Sequence, residues 1–117
     1  MNWYEAIYIR KSVRRYSKRA VPPVLLKQIR NCAEKVTLRQ EDSKCTIRIY
    51  SAREAHQKIR GVFRVSAPYY MAVFTKKTAF SMVDAGCYAE RLVLYMATKG
   101  LGTCYQGCCR LDPSEIP

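Results

Sequence analysis

Three features of the sequence predict an α+β domain in which helices cover a small β-sheet. Leu25, Leu26, Ile29, Cys32, Ala33 and Val36 recur at the i, i+3, i+4 spacing of an amphipathic helix. Cys45, Ile47 and Ile49 alternate with Thr46, Arg48 and Tyr50, the period of a half-buried strand, and Tyr69 to Thr75 is an almost continuous apolar run short enough for a buried central strand. Apolar residues are dense again from Phe80 to Lys99, where Lys99-Gly100 supplies the cation and the glycine that commonly end a helix. With 117 residues, 49% of them hydrophobic, the chain suits a single domain spanning 1–117.

Taken in order, the first element is a short helix. Trp3, Ala6, Ile7 and Arg10 fall at helical intervals behind Asn2, a suitable N-cap. Val21-Pro22-Pro23 then starts the second helix, over about 23–36. Thr37 to Lys44 is polar and reads as a loop before the alternating strand. Ser51 and Glu54 have the spacing of a capping box for a short helix ending before Gly61. His56 is then a surface residue of that helix, with no partner to make it catalytic. After the strand from Tyr69 and the core helix from Phe80, Gly102 to Cys109 returns to an extended pattern, with Gly102 and Gly107 permitting close backbone approach by another chain or a ligand. The predicted order is helix, helix, strand, helix, strand, helix, strand.

Composition narrows the function classes. The longest uncharged stretch, Val65 to Thr75, contains Pro68 and falls short of the ~20 apolar residues of a membrane span. Arg10, Lys11, Arg14 and Arg15 interrupt any apolar region of a signal peptide, so a cytoplasmic protein without membrane attachment is expected. Six cysteines outside a secretory context read as reduced, mostly buried thiols. Cys104, Cys108 and Cys109 include one spacing acceptable for zinc, but no second Cys or His pair follows them. The net charge is +12, and residues 1–60 hold 15 Lys/Arg against 5 Asp/Glu. Such a surface attracts polyanions and steers anionic small molecules such as phosphorylated cofactors.

The densest charge lies in Arg10-Lys11-Ser12-Val13-Arg14-Arg15. Guanidinium groups grip phosphate oxygens bidentately, and a serine hydroxyl adds a short hydrogen bond. In an extended segment Arg10, Ser12 and Arg14 share one side, so one face can converge on an anion.

Four segments in register resemble the FMN-dependent nitroreductase family. Ile7 to Tyr16, followed by Val21-Pro22-Pro23 and Leu25 to Ile29, is similar to its N-terminal signature. Ala67-Pro68-Tyr69-Tyr70 before a strand, Asp84-Ala85-Gly86 opening a long helix, and Gly100-Leu101-Gly102-Thr103-Cys104-Tyr105-Gln106-Gly107 resemble its later landmarks. The resemblance implies a nitroreductase-like fold. It implies that Arg10, Ser12 and Arg14 hold the FMN phosphate, with Lys11 adding main-chain or charge contact, and that Tyr105, Gln106 and Gly107 pass beside the isoalloxazine ring. It further implies a homodimer that takes NADH or NADPH as hydride donor and a small nitroaromatic or quinone-like acceptor, with no catalytic acid or nucleophile demanded of the protein.

Two departures accompany the resemblance. The family's Ser-x-x-Asn-x-Gln-Pro-Trp loop is absent from Thr37 to Lys44, as in its shorter branch, and the chain stops at Pro117, before the family's C-terminal helices and a further phosphate-binding cation. An alternative expectation is therefore a flavin-poor remnant using its basic half to hold an anionic partner. Nucleic acid fits that alternative poorly, because the basic residues lack interleaved aromatic stacking platforms.

Overall fold

The computed structural model describes residues 2–37, 45–61, 65–107 and 109–117. Helix α1 (Trp3–Ile9) starts at a full capping box: the Glu5 amide donates to Asn2 Oδ1 at 2.8 Å, and the Asn2 amide donates to Glu5 Oε2 at 3.4 Å. Helix α2 (Pro23–Thr37) opens on proline, whose missing N–H is no loss in a first turn. Strand β1 (Thr46–Ser51) runs directly into helix α3 (Ala52–Lys58), because Ser51 and Glu54 cap that helix reciprocally. Strands β2 (Ile59–Gly61) and β3 (Tyr69–Phe74), helix α4 (Ala79–Thr98), strand β4 (Cys109–Leu111) and a 3₁₀ turn (Pro113–Glu115) complete the order.

Helix α4 ends as a Schellman motif. The Leu101 amide reaches the Met96 carbonyl at 3.0 Å and the Gly100 amide reaches Ala97 at 3.1 Å, with Gly100 at φ +78°. This turn reverses the chain, so that residues 101–106 pass the end of α1 rather than continuing away from it.

Strand β1 pairs antiparallel with β3, from Thr46 opposite Phe74 to Ser51 opposite Tyr69. The core lies between this pair, α2 and α4: Ala33, Cys45, Ala85, Tyr88 and Leu92 form its buried centre, with Ile47, Met71, Val73 and Met96 packed against them. Helix α1 rests on α4 through buried Ala6 and a tilted Trp3–Tyr95 ring contact at 6.1 Å.

The α+β class agrees with the sequence, and His56 is exposed on α3. Other expectations need correction. The single small central sheet is divided, among the described residues, into two two-stranded ribbons, β1–β3 and β2–β4. Strand β3 is therefore half-buried along its length instead of buried as a central strand. The third helix does end before Gly61, as expected: it stops at Lys58, since Ile59 leaves helical geometry and pairs with Leu111. Helix α4 begins at Ala79, where Thr78 caps it, so Asp84-Ala85-Gly86 lies inside the helix and does not open it. On α1 only Ala6 is buried; Trp3 and Ile7, which share its helical spacing, are 45% and 58% exposed. Of the described cysteines, Cys45 alone is buried and Cys87 is exposed, which corrects the expectation of mostly buried thiols. The loop expected at Thr37 to Lys44 lies, beyond Thr37, outside the described residues.

The segment Gly102 to Cys109 is not a continuous strand. Its pairing partner is the N-terminal arm: Thr103 bridges Ser12 in parallel, and the Val13 amide donates to the Thr103 carbonyl at 2.9 Å. The ladder forms later, where β4 meets β2.

Candidate functional site

The site is assembled where α1 gives way to extended chain. Arg10 caps the helix, its amide still bonded to the Ala6 carbonyl while its own backbone is extended. From there the basic arm runs alongside residues 102–104, and the closeness of that approach explains Gly102. A Cβ at this position would meet Val13 Cγ2 at 2.8 Å, Cβ at 2.9 Å and Cγ1 at 3.1 Å. The glycine expected to admit another chain or a ligand admits the arm itself.

This pairing carries Arg10 to Tyr105. The guanidinium lies over the phenol ring at 5.7 Å, within cation–π range, and Arg10 Nη2 donates to Thr103 Oγ1 at 3.5 Å. Arg10 Nε is sealed from solvent with no hydrogen-bond partner among the described residues. The other end of Tyr105 is held by α4, the phenol donating to Glu90 Oε2 at 2.9 Å. Burial, followed by this bond, pushes the Tyr105 phenol up to about 12, although the Arg10 charge opposes the rise.

Lys11, Ser12, Arg14 and Arg15 are exposed. Among the described residues, no carboxylate pairs with any of them or with Arg10; the ion pairs engage Arg48, Lys58 and Arg60. Arg10 and Arg14 share a neighbourhood at Tyr16. Burial and the Cys104 thiol raise that phenol while both guanidiniums pull it down. The arm is therefore a cluster of cations without internal counter-charge, the condition under which an external anion is attracted rather than displaced.

Beside the arm opens a cleft of about 880 Å³, within the size range of small-molecule sites. Arg15 and Tyr16 line it from the arm, Met71 from β3, Val93 from α4, and Tyr105 and Gln106 from the returning segment. Of the seven residues nominated from the sequence, Arg10 and Tyr105 are in contact, and Tyr105 and Gln106 stand in the cleft wall. Arg10, Lys11, Ser12 and Arg14, on the arm ahead of Arg15, are not part of its lining, and neither is Gly107, which sits in an exposed turn.

Gln106 has a structural duty. Its side-chain oxygen accepts from the Val65 amide at 3.0 Å, and its nitrogen donates to the Tyr105 carbonyl at 3.3 Å, so the amide ties the returning segment to the chain ahead of β3. Thr103, Glu90 and Tyr16 escaped the sequence reading. Thr103 stands inside the Gly100 to Gly107 landmark and could have been nominated with it. Glu90 gives no local signal, because its contact with Tyr105 exists only after α4 and the returning segment have docked.

The comparisons place these landmarks in one family. A family model described as "Putative TM nitroreductase" matches residues 2–114. No curated protein and no solved structure matches the chain. The match spans both the basic arm and the segment it pairs with, and the chain belongs to this nitroreductase family.

Proposed function

We propose that this chain is an FMN-dependent oxidoreductase that seats the cofactor phosphate on Arg10, Ser12 and Arg14. The observation that carries the reading is the Arg10–Tyr105 contact. The resemblance assigns one of these residues to the phosphate and the other to the ring side of a flavin, and they stand 95 positions apart in the chain. A site built for one ligand has to bring these two distant segments together.

The residues present fit the phosphate end of the group. Arg10 carries a shielded N–H without an acceptor, and Lys11 and Arg14 are exposed cations without ion-pair partners among the described residues. A phosphate dianion meets the needs of Arg10 and Arg14, which share one side of the arm, while Lys11, on the other side, adds charge. Ser12, bridged through its backbone to Thr103, has an exposed side chain able to donate to the same anion. Bound FMN would supply hydride chemistry, accepting from NADH or NADPH and delivering to a small nitroaromatic or quinone-like acceptor. The protein's part is to hold the phosphate, orient the ring and shield it. For the last of these it offers the apolar cleft walled by Met71 and Val93.

The reading includes a homodimer. Tyr4, Ile7, Tyr8 and Ile9 on α1 and Phe80, Met82 and Val83 on α4 are large apolar side chains left more than half exposed. Two helices of one chain exposing such residues are suited to cover a second copy.

Titration of the purified protein with FMN, followed by quenching of flavin fluorescence, tests the proposal. Saturable quenching that Arg10→Ala abolishes supports it. A colourless protein that leaves FMN fluorescence unchanged, and instead shifts nucleic acid in a salt-sensitive manner, would favour the anion-binding remnant.

A further inference from the structure

The contacts of Arg10 are uneven around its guanidinium, and the unevenness has a direction. One face is covered by the Tyr105 ring at 5.7 Å. On its edge, Nη2 has one long hydrogen bond, 3.5 Å to Thr103 Oγ1, and Nε has no partner among the described residues despite being sealed from water. The Nε–H and one Nη–H of an arginine are parallel donors whose spacing matches two oxygens of one phosphate or carboxylate. Thr103 stands beside that edge, and its hydroxyl can rotate from accepting the arginine proton to donating toward an anion.

Tyr105 is 56% exposed, so packing alone does not hold its ring in place. The Glu90 carboxylate does, through the 2.9 Å bond to the phenol. Tyr105 thus touches Arg10 with its ring and Glu90 with its hydroxyl. The acid fixes the wall without making an ion pair with Arg10 that would neutralise the guanidinium.

We propose that the Nε and Nη2 edge of Arg10 and the Thr103 hydroxyl form a single receptor for one tetrahedral oxyanion, and that Glu90, acting through Tyr105, is its positioning residue. The inference rests on the FMN reading above and deepens it, naming the arginine edge that meets the phosphate and adding two residues outside the nominated set. Ser12 and Arg14 then serve the outer oxygens of the same group.

The ratio of FMN to riboflavin affinity tests the receptor, because the two ligands differ only in the phosphate. Thr103→Val is expected to lower FMN affinity about tenfold, the effect of one hydrogen bond to a charged group, with riboflavin unchanged. Thr103→Ser restores the wild-type ratio. Glu90→Leu lowers the ratio to a similar extent, whereas Glu90→Gln, which can still accept from the phenol, stays within about twofold of wild type. Unchanged riboflavin affinity separates the Thr103→Val effect from a folding defect; for Glu90→Leu, whose Tyr105 also lies on the ring side, the ratio itself is the readout and an unchanged thermal melt excludes a folding defect.

If Arg10→Ala loses the preference for FMN while Thr103→Val and Glu90→Leu keep it, the receptor is overturned and the FMN reading survives. If the wild-type chain binds neither flavin, the FMN reading fails, and calorimetry with inorganic phosphate decides the receptor alone. Phosphate binding weakened by Arg10→Ala, Thr103→Val and Glu90→Leu upholds it, and its absence overturns it.

Discussion

Gly102→Ala is the substitution that most directly tests how the site is held. The added methyl would meet three atoms of Val13 at 2.8, 2.9 and 3.1 Å, two of them closer than real Cβ contacts come. Val13 has little room to yield, because a β-branched side chain is stiff at χ1 and its Cβ is tied to the backbone. Overpacking of this kind costs about 1–3 kcal/mol. Relief by separating the two segments would forfeit the Val13–Thr103 hydrogen bond, worth about 1 kcal/mol net. The expected loss is therefore about 2–3 kcal/mol, or roughly 8–12 °C in Tm for a domain of this size.

Thermal unfolding of Gly102→Ala, of Val13 variants and of the double variants measures the coupling. Val13→Ala removes the two γ-carbon contacts and leaves the one at 2.9 Å, so it should rescue Gly102→Ala in part. Val13→Gly removes all three and should rescue it further, after allowance for the ~0.5–1 kcal/mol that glycine costs in extended chain. A Gly102→Ala protein as stable as wild type, or effects that simply add, would refute the close pairing of the arm with residues 102–104. Because that pairing also carries Arg10 to Tyr105, FMN binding should weaken with Gly102→Ala and recover in the rescued doubles.

The remaining predictions concern the caps and the titrating groups. Gly100→Ala should cost about 1–2 kcal/mol by denaturant unfolding, since φ is +78° and no neighbour lies within 4 Å, so the cost is purely conformational. Ser51→Ala should cost about 1 kcal/mol through loss of the α3 cap. The Ser51 backbone amide first, and its hydroxyl second, hold the Glu54 carboxyl below its ordinary 4.5; the stabilisation is fully present above that value, is lost as pH falls through the depressed one, and should be reduced but not abolished in the acid limb of Ser51→Ala, which keeps the backbone donor. In an alkaline phenolate titration Tyr88 and Tyr105 should ionise at about 12, and Tyr105→Phe should remove one of the two. Their raised values favour the folded state fully below pH 10, an advantage lost as pH rises through about 12.

What could be read in the sequence was local. Asn2, the Ser51–Glu54 pair and Lys99-Gly100 marked three helix ends correctly, because a cap satisfies orphan backbone groups within three or four residues and needs no distant partner. The alternation from Cys45 and the apolar run from Tyr69 gave β1 and β3 for the same reason: side-chain period follows backbone geometry. The basic arm was equally visible, as charge. Pairing was not visible, since any extended segment offers the same row of amides and carbonyls to every other. Gly102 to Cys109 looked like one strand, yet Val13 claimed its first part, and Ile59–Gly61 claimed the residues after it. Glu90, Tyr105, Thr103 and Arg10 converge only once α4 has docked and the Gly100 turn has reversed the chain. Local hydrogen bonding and periodicity therefore determined the elements and the charge of the site, while long-range docking alone decided which side chains meet the cation.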